Sequence, residues 1–174
     1  LLEQPLAWLN ILRDFGDRLA LRAGADVGKR QFGAIPYTVV KGEVVFLLIT
    51  SRGSGRWIFP KGDPIEGLNA WDAAAQEALE EAGIEGEVDS RSLGSYRTFK
   101  TLAIRRKVIE VELYPLRVTR QFDEWPEKGS RHRHWAILPE VKRLLSDAQM
   151  ANLAIRLSQR VRRENHSPIE RISQ

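Results

Sequence analysis

The 174-residue sequence contains no cysteine. That excludes disulfides, thiolate zinc sites and cysteine nucleophiles together, and it leaves carboxylates, histidines and hydroxyls to carry any chemistry. Only 8 Pro and 13 Gly are present, too few for a fibrous or low-complexity chain. No apolar run is longer than Val44 to Ile49, which is a strand's length and far short of the roughly 20 residues a transmembrane helix needs. The N-terminus has neither the compact apolar stretch nor the small-residue cleavage site of a signal peptide, so a cytoplasmic protein is expected.

What is there reads as a folded domain. Hydrophobic residues make up 43% and charged residues 29%, and the length is enough to bury a core without metal or disulfide staples. Lys and Arg number 27 against 23 Asp and Glu, a net charge of +4, so nucleic acid is only one of several anionic partners to consider. Distribution matters more than the sum. Acids crowd between Asp63 and Asp89, while bases dominate Arg91 to Lys107 and Arg156 to Arg163. A site for cations and an anionic ligand would have this pattern, and so would ordinary solvated faces.

There is no internal repeat. Leu6, Leu9, Leu12, Phe15 and Leu19 have helical spacing within Gln4 to Leu21, and Arg22 to Arg30 reads as a connection. Strands are predicted at Phe32–Val40, Val44–Thr50, Trp57–Phe59, Leu93–Phe99, Lys107–Thr119 and His132–Leu138, with helices at Asn69–Ala82 and within Pro139–Arg163. Strands and helices alternate without a regular βαβ cadence. The expected class is therefore α/β with a mixed sheet between helices.

The segment Gly62 to Ile84, GDPIEGLNAWDAAAQEALEEAGI, is the informative one. Asn69 and Asp72 mark a helix start, and Gly83 marks its end. At about 100° per residue, Trp71, Ala74, Ala75, Ala78 and Ala82 share one face while Glu77, Glu80 and Glu81 share another. Like charges at i, i+3 and i+4 repel by a few tenths of a kcal/mol per pair, so the triple invites a bound cation. On an isolated helix it would equally be a solvated acidic face.

This stretch resembles the Nudix box, G-x5-E-x7-R-E-U-x-E-E-x-G-U, where U is a bulky aliphatic residue. Gly62, Glu77, Glu80, Glu81, Gly83 and Ile84 match. Leu68 stands where the pattern has its first Glu, Gln76 where it has Arg, and Ala78 is a small version of U. Loss of an acid together with a base leaves no unpaired charge, and Glu66 is a candidate substitute carboxylate. The flanking segments Gly33–Tyr37, Phe46–Arg52, Trp57–Gly62 and Trp125–Lys128, with Arg131, Arg133 and Trp135, are similar to those of Nudix enzymes acting on diphosphoinositol and diadenosine polyphosphates.

The resemblance implies a Nudix-type α/β/α sandwich with a mixed β-sheet. Residues 1–31 would be an N-terminal helix and connection, 32–145 the Nudix hydrolase domain, and 146–174 its C-terminal helix and tail. It implies hydrolysis of a phosphoanhydride in a nucleoside-diphosphate-linked or diphosphoinositol polyphosphate substrate, with Mg²⁺, or Mn²⁺ in its place. Glu80 and Glu81 would be metal ligands, and Glu77 a further ligand or the group that orients the water. A backbone carbonyl at Lys61 or Gly62 and a carboxylate outside the box, for which Glu127 is nominated, would complete the shell.

Arg52, Lys61, Arg131 and Arg133 are the candidate phosphate-binding cations, with Arg131 and Arg133 expected on one side of a strand. His132 and His134 form a His-x-His pair with no third ligand at recognisable spacing. Tyr37, Phe99 and Trp125 are the aromatics to consider for base stacking, though strand aromatics more often pack. The expected partner is a small polyphosphate and no membrane, with RNA entering only as a capped or 5′-triphosphate end. Two other readings compete: RNA 5′-pyrophosphate removal, and a non-catalytic Nudix-fold ligand-binding module.

Overall fold

The computed structural model describes residues 29–102 and 105–166. The expected helix over residues 4–21 lies outside them, and so does most of its connection. The elements run β1 (Lys29–Val40), β2 (Glu43–Thr50), β3 (Trp57–Ile58), β4 (Lys61–Gly62), α1 (Ala70–Ala82), β5 (Ile84–Val88), β6 (Gly94–Leu102), β7 (Arg105–Gln121), β8 (Arg133–Ile137), α2 (Leu138–Leu144) and α3 (Ala148–His166). The α/β expectation holds. The strands and helices predicted within the described residues recur to within a few residues, and two short strands, β4 and β5, appear in addition.

The chain divides into two compact units. Of the one that carries the acidic helix, residues 31–96 and 111–166 are described. Of the other, residues 29–30, 97–102 and 105–110 are described, comprising the start of β1 and the adjoining ends of β6 and β7.

The eight strands make one mixed sheet of order β3-β2-β1-β7-β5, with β8 on β2, β4 on β1 and β6 on β7. The β-branched and aromatic run of β2 places it at the centre. It pairs antiparallel with β1 (Tyr37 opposite Phe46), with β3 (Ile49 opposite Ile58) and with β8 (Leu47 opposite Trp135). Phe46, Leu47, Leu48 and Ile49 are all fully buried. Successive strand residues face opposite sides, so both faces of β2 are covered.

The alanine stripe of α1 covers one face. Ala74, Ala78 and Ala82 pack on Ala34, Leu47, Ile49, Tyr114 and Leu116, and their small side chains let the helix lie close to the sheet. Near the other end of the chain α2 packs on β2 and on α3, whose buried Met150, Leu153, Ala154, Leu157 and Val161 have the i, i+3, i+4, i+7 spacing of a core-facing helix.

Candidate active site

α1 holds its acids in place through its two ends and its neighbours. Asn69 precedes the helix in an extended conformation, but its side chain makes no cap to the backbone and instead donates to Asp72 Oδ2 at 3.2 Å. At the other end Gly83 adopts φ 63° and its N–H closes on Leu79 O, a left-handed cap that favours glycine. A Cβ there would also come within 2.7 Å of Trp125. The segment after β7 folds over this end, with Phe122 N donating to Gly83 O (2.8 Å) and Glu127 N to Glu80 O (3.2 Å).

Glu77, Glu80 and Glu81 all lie on α1, in different environments. The Glu77 carboxylate lies against Gly62, where a Cβ would overlap it. Burial first, then the negative charges of Glu81, Glu80, Glu127 and Asp63, push its carboxyl from the ordinary 4.5 up to about 7. Glu80, half-buried, accepts a 2.6 Å hydrogen bond from Gln76 Nε2. Thus the amide at the box's Arg position still serves a box carboxylate, one helical turn on.

Glu81 is buried, at 6% exposure. Its Oε2 accepts the Lys61 backbone N–H at 3.0 Å and its Oε1 pairs with Arg131 Nη2. Burial raises its pKa, opposed chiefly by the Arg131 guanidinium.

The four candidate cations separate into two kinds. Arg52 is exposed at the turn after β2, with one 3.3 Å bond to Glu127 Oε1. Lys61 Nζ, half-buried, donates to Gln31 Oε1 at 3.1 Å, and Gln31 in turn donates to Asp63 Oδ1 at 2.9 Å.

The expectation for Arg131 and Arg133 needs correction. β8 begins only at Arg133, so the two do not alternate along a strand. The Arg131 side chain is 4% exposed and is engaged by Glu81, Glu127 and Thr50 O. Arg133 donates to Ala82 O at 3.0 Å and lies 3.9 Å over the Trp125 ring. Both guanidiniums are held by the protein itself.

Other sequence candidates fall elsewhere. His134 Nε2 pairs with Glu140 Oε1 at 2.9 Å, and among the described residues no three metal-ligating side chains gather around it. Glu66 is exposed in the loop before α1. Trp125 carries Arg133 on its ring, Tyr37 is half-buried among the charges of Arg117, Arg160, Glu164 and Asp89, and Phe99 belongs to the other unit. Gln31 and Asp63 escaped sequence reasoning, since Gln31 lies in no motif and Asp63 falls on a variable position of the box. A cavity of about 420 Å³ is lined by Asp72, Ala75, Leu79, Ile84, Glu85 and Thr119 among others, and of the site residues only Gln76 reaches it.

Among the described residues no three carboxylates or imidazoles already converge on one point; Glu81 directs its oxygens to Arg131 and the Lys61 amide. The donor set nevertheless fits a hard divalent cation. Its members are carboxylate oxygens, Gly62 leaves the space that seats Glu77, and a cation would relieve the like charges around Glu77.

Comparison with known proteins agrees with this fold. A family model described as "NUDIX domain" matches residues 29–155. Nudix hydrolase 21, chloroplastic, from Arabidopsis thaliana is 33% identical over 143 residues, covering 76% of this chain and 71% of that protein. Diphosphoinositol polyphosphate phosphohydrolase 3-beta from Bos taurus is 29% identical over 109 residues, 62% of this chain and 63% of that protein. Among solved structures, the C. elegans Ap4A hydrolase superposes with a TM-score of 0.56 at 22% identity, over 78% of this chain and 99% of that one.

Proposed function

The chain belongs to the Nudix hydrolase family, and on that premise we propose that it hydrolyses a phosphoanhydride bond in a nucleoside-diphosphate-linked or diphosphoinositol polyphosphate substrate, with Mg²⁺ or Mn²⁺ held by Glu77, Glu80 and Glu81. One observation carries the reading. Three carboxylates of the box are present on one helix, and the carboxyl of Glu77, seated against Gly62, is pushed up to about 7 by burial and by its acidic neighbours. The cation, when bound, supplies the positive charge that polarises the phosphoryl oxygens and makes water a better nucleophile.

The chain's own groups do the rest. Glu80 is oriented by the Gln76 amide. Glu81 is held from two sides, by the Lys61 amide and Arg131. Glu77, seated against Gly62, is the further ligand or the group that orients the attacking water. Arg52, whose side chain is 65% exposed, is the guanidinium best placed to grip a polyphosphate, and the Lys61 ammonium beside the acidic helix is a second cation for it.

The proposed catalytic domain spans 32–145, with the helix that follows as part of it. No helix among the described residues is long and apolar enough to cross a membrane. The reading places the enzyme in the cytoplasm; "chloroplastic" in the plant relative's name describes that protein.

The test is release of phosphate or nucleotide from diadenosine polyphosphate, diphosphoinositol polyphosphate and 5′-capped or triphosphorylated RNA, each with Mg²⁺ and with EDTA. Metal-dependent turnover of either of the first two, lost in Glu80→Gln, is the expected result. Turnover of RNA alone would move the assignment to 5′-end processing. No turnover of any substrate, with ligand binding intact, would make the chain a binding module.

A further inference from the structure

We propose that Arg131 is a positioning residue of this site: its guanidinium fixes Glu81 and Glu127 relative to the end of β2, supplying from outside the box the cation that the box position of Gln76 lacks. The inference rests on the reading of the α1 carboxylates as a divalent-cation site.

The observations begin with charge. α1 contains Asp72, Glu77, Glu80 and Glu81 and no basic residue. The Gln76 amide serves Glu80 but brings no charge, so any compensating cation has to come from elsewhere in the chain. Arg131 provides it, fifty positions away from Glu81.

Each of its three nitrogens has a different partner. Nη2 pairs with Glu81 Oε1 on α1, Nε donates to Glu127 Oε2 at 2.5 Å in the segment after β7, and Nη1 donates to Thr50 O at 2.9 Å at the end of β2. Only a planar fork with fixed donor directions meets three such acceptors at once, and a lysine ammonium in its place would be a point charge on a flexible stem. With the side chain 4% exposed and every nitrogen bonded to a protein acceptor, the guanidinium is buried against its own carboxylates and is closed to a substrate phosphate. Both carboxylates that it holds border Glu77 closely enough to raise its pKa. The fork therefore sets the geometry of the acidic group as a whole, as partners behind metal ligands do.

The deciding variant is Arg131→Lys in the full chain. It keeps the unit positive charge and loses the fork. Isothermal titration with Mg²⁺ is expected to give about 10- to 100-fold weaker binding than wild type, with kcat lowered over the same range and KM for the polyphosphate substrate within about twofold. Equal Mg²⁺ affinity in Arg131→Lys and wild type overturns the inference, even if the melting temperature falls. A raised KM with kcat intact also overturns it, because that is the signature of a phosphate ligand.

A measurement on the wild-type protein stands independently of whether the variant folds. The Arg131 Nε–H resonance is expected to be protected from solvent exchange and unmoved by inorganic tripolyphosphate without metal. A shift on adding tripolyphosphate would overturn the positioning role. Should wild type itself bind no Mg²⁺, the cation-site reading fails and carries the inference with it. If wild type binds and Arg131→Lys binds equally well, the inference alone fails.

Discussion

Replacing Glu77 by Gln should stabilise the metal-free protein at neutral and alkaline pH, and the size of the gain follows from the site. The carboxyl is pushed from 4.5 up to about 7, first by burial and then by Glu81, Glu80, Glu127 and Asp63. The fold therefore prefers its neutral form. Below about 4.5 the side chain is neutral in folded and unfolded states alike and costs nothing. As pH rises toward 7 the unfolded chain releases the proton and the folded one retains it, so stability falls, and above about 7 the loss is complete.

Each factor of ten in proton affinity is worth about 1.4 kcal/mol. Half the side chain still meets solvent and is screened there, which leaves about 1–2 kcal/mol for the penalty. For a domain of this size that is a difference in Tm of about 2–8 °C. In EDTA, Glu77→Gln should melt higher than wild type by that amount near pH 8, and the two curves should approach each other as pH falls toward 5. Saturating Mg²⁺ should reverse the order, since wild type gains binding free energy that the amide forfeits. A variant no more stable than wild type in EDTA near pH 8 would refute the claim that burial and the neighbouring acids disfavour the charged form of Glu77.

Gly62→Ala places a methyl where the Glu77 carboxylate lies; it should cost about 1–3 kcal/mol of stability and weaken Mg²⁺ binding by calorimetry in the same variant. Arg52→Ala, at a side chain 65% exposed, should raise KM for a polyphosphate and flatten its salt dependence while Tm moves by less than about 2 °C, and an unchanged KM would return Arg52 to the ordinary surface. Gln76→Arg should retain the bond to Glu80 and keep kcat within a few-fold of wild type. In a double-mutant cycle with Leu68→Glu, a coupling beyond about 0.5 kcal/mol would mark the two box departures as a compensated pair, whereas additivity would mark them as independent changes.

The parts of this fold set by local periodicity were legible in the sequence. The helix predicted over Asn69–Ala82 is Ala70–Ala82, and its alanines face the sheet. β2 was marked by its β-branched run. What escaped depends on partners distant in the chain. β4 is two residues long, recognisable only because Gly62 pairs with Phe32 and Lys61 with Gly33. β5, IEGEV, carries a glycine and two acids and becomes a strand by pairing with β7 from Ile84 opposite Gln121 to Val88 opposite Leu116. Arg131 and Arg133 were misplaced for the same reason. Two-residue spacing implies a shared face only inside a strand, and Arg131 precedes β8, where burial against Glu81 decides its direction.

The position of that arginine is tied to how α1 ends. The last turn of α1 has no basic residue to meet the partial negative charge of its carbonyls. Those carbonyls are met instead by the chain after β7, through Glu127 N on Glu80 O, Phe122 N on Gly83 O and the Arg133 guanidinium on Ala82 O. The same segment carries Glu127 and Arg131 to the carboxylates. Capping the helix and assembling the acidic site are therefore one packing event, in which Gly83 admits Trp125 and Trp125 supports Arg133. Gly83→Ala should for that reason do more than strain a left-handed residue. It should push Trp125 outward, loosen the segment that bears Arg131, and lower Mg²⁺ affinity along with stability. A variant that loses about 1–3 kcal/mol of stability yet binds Mg²⁺ as wild type does would show that the helix cap and the site are separable.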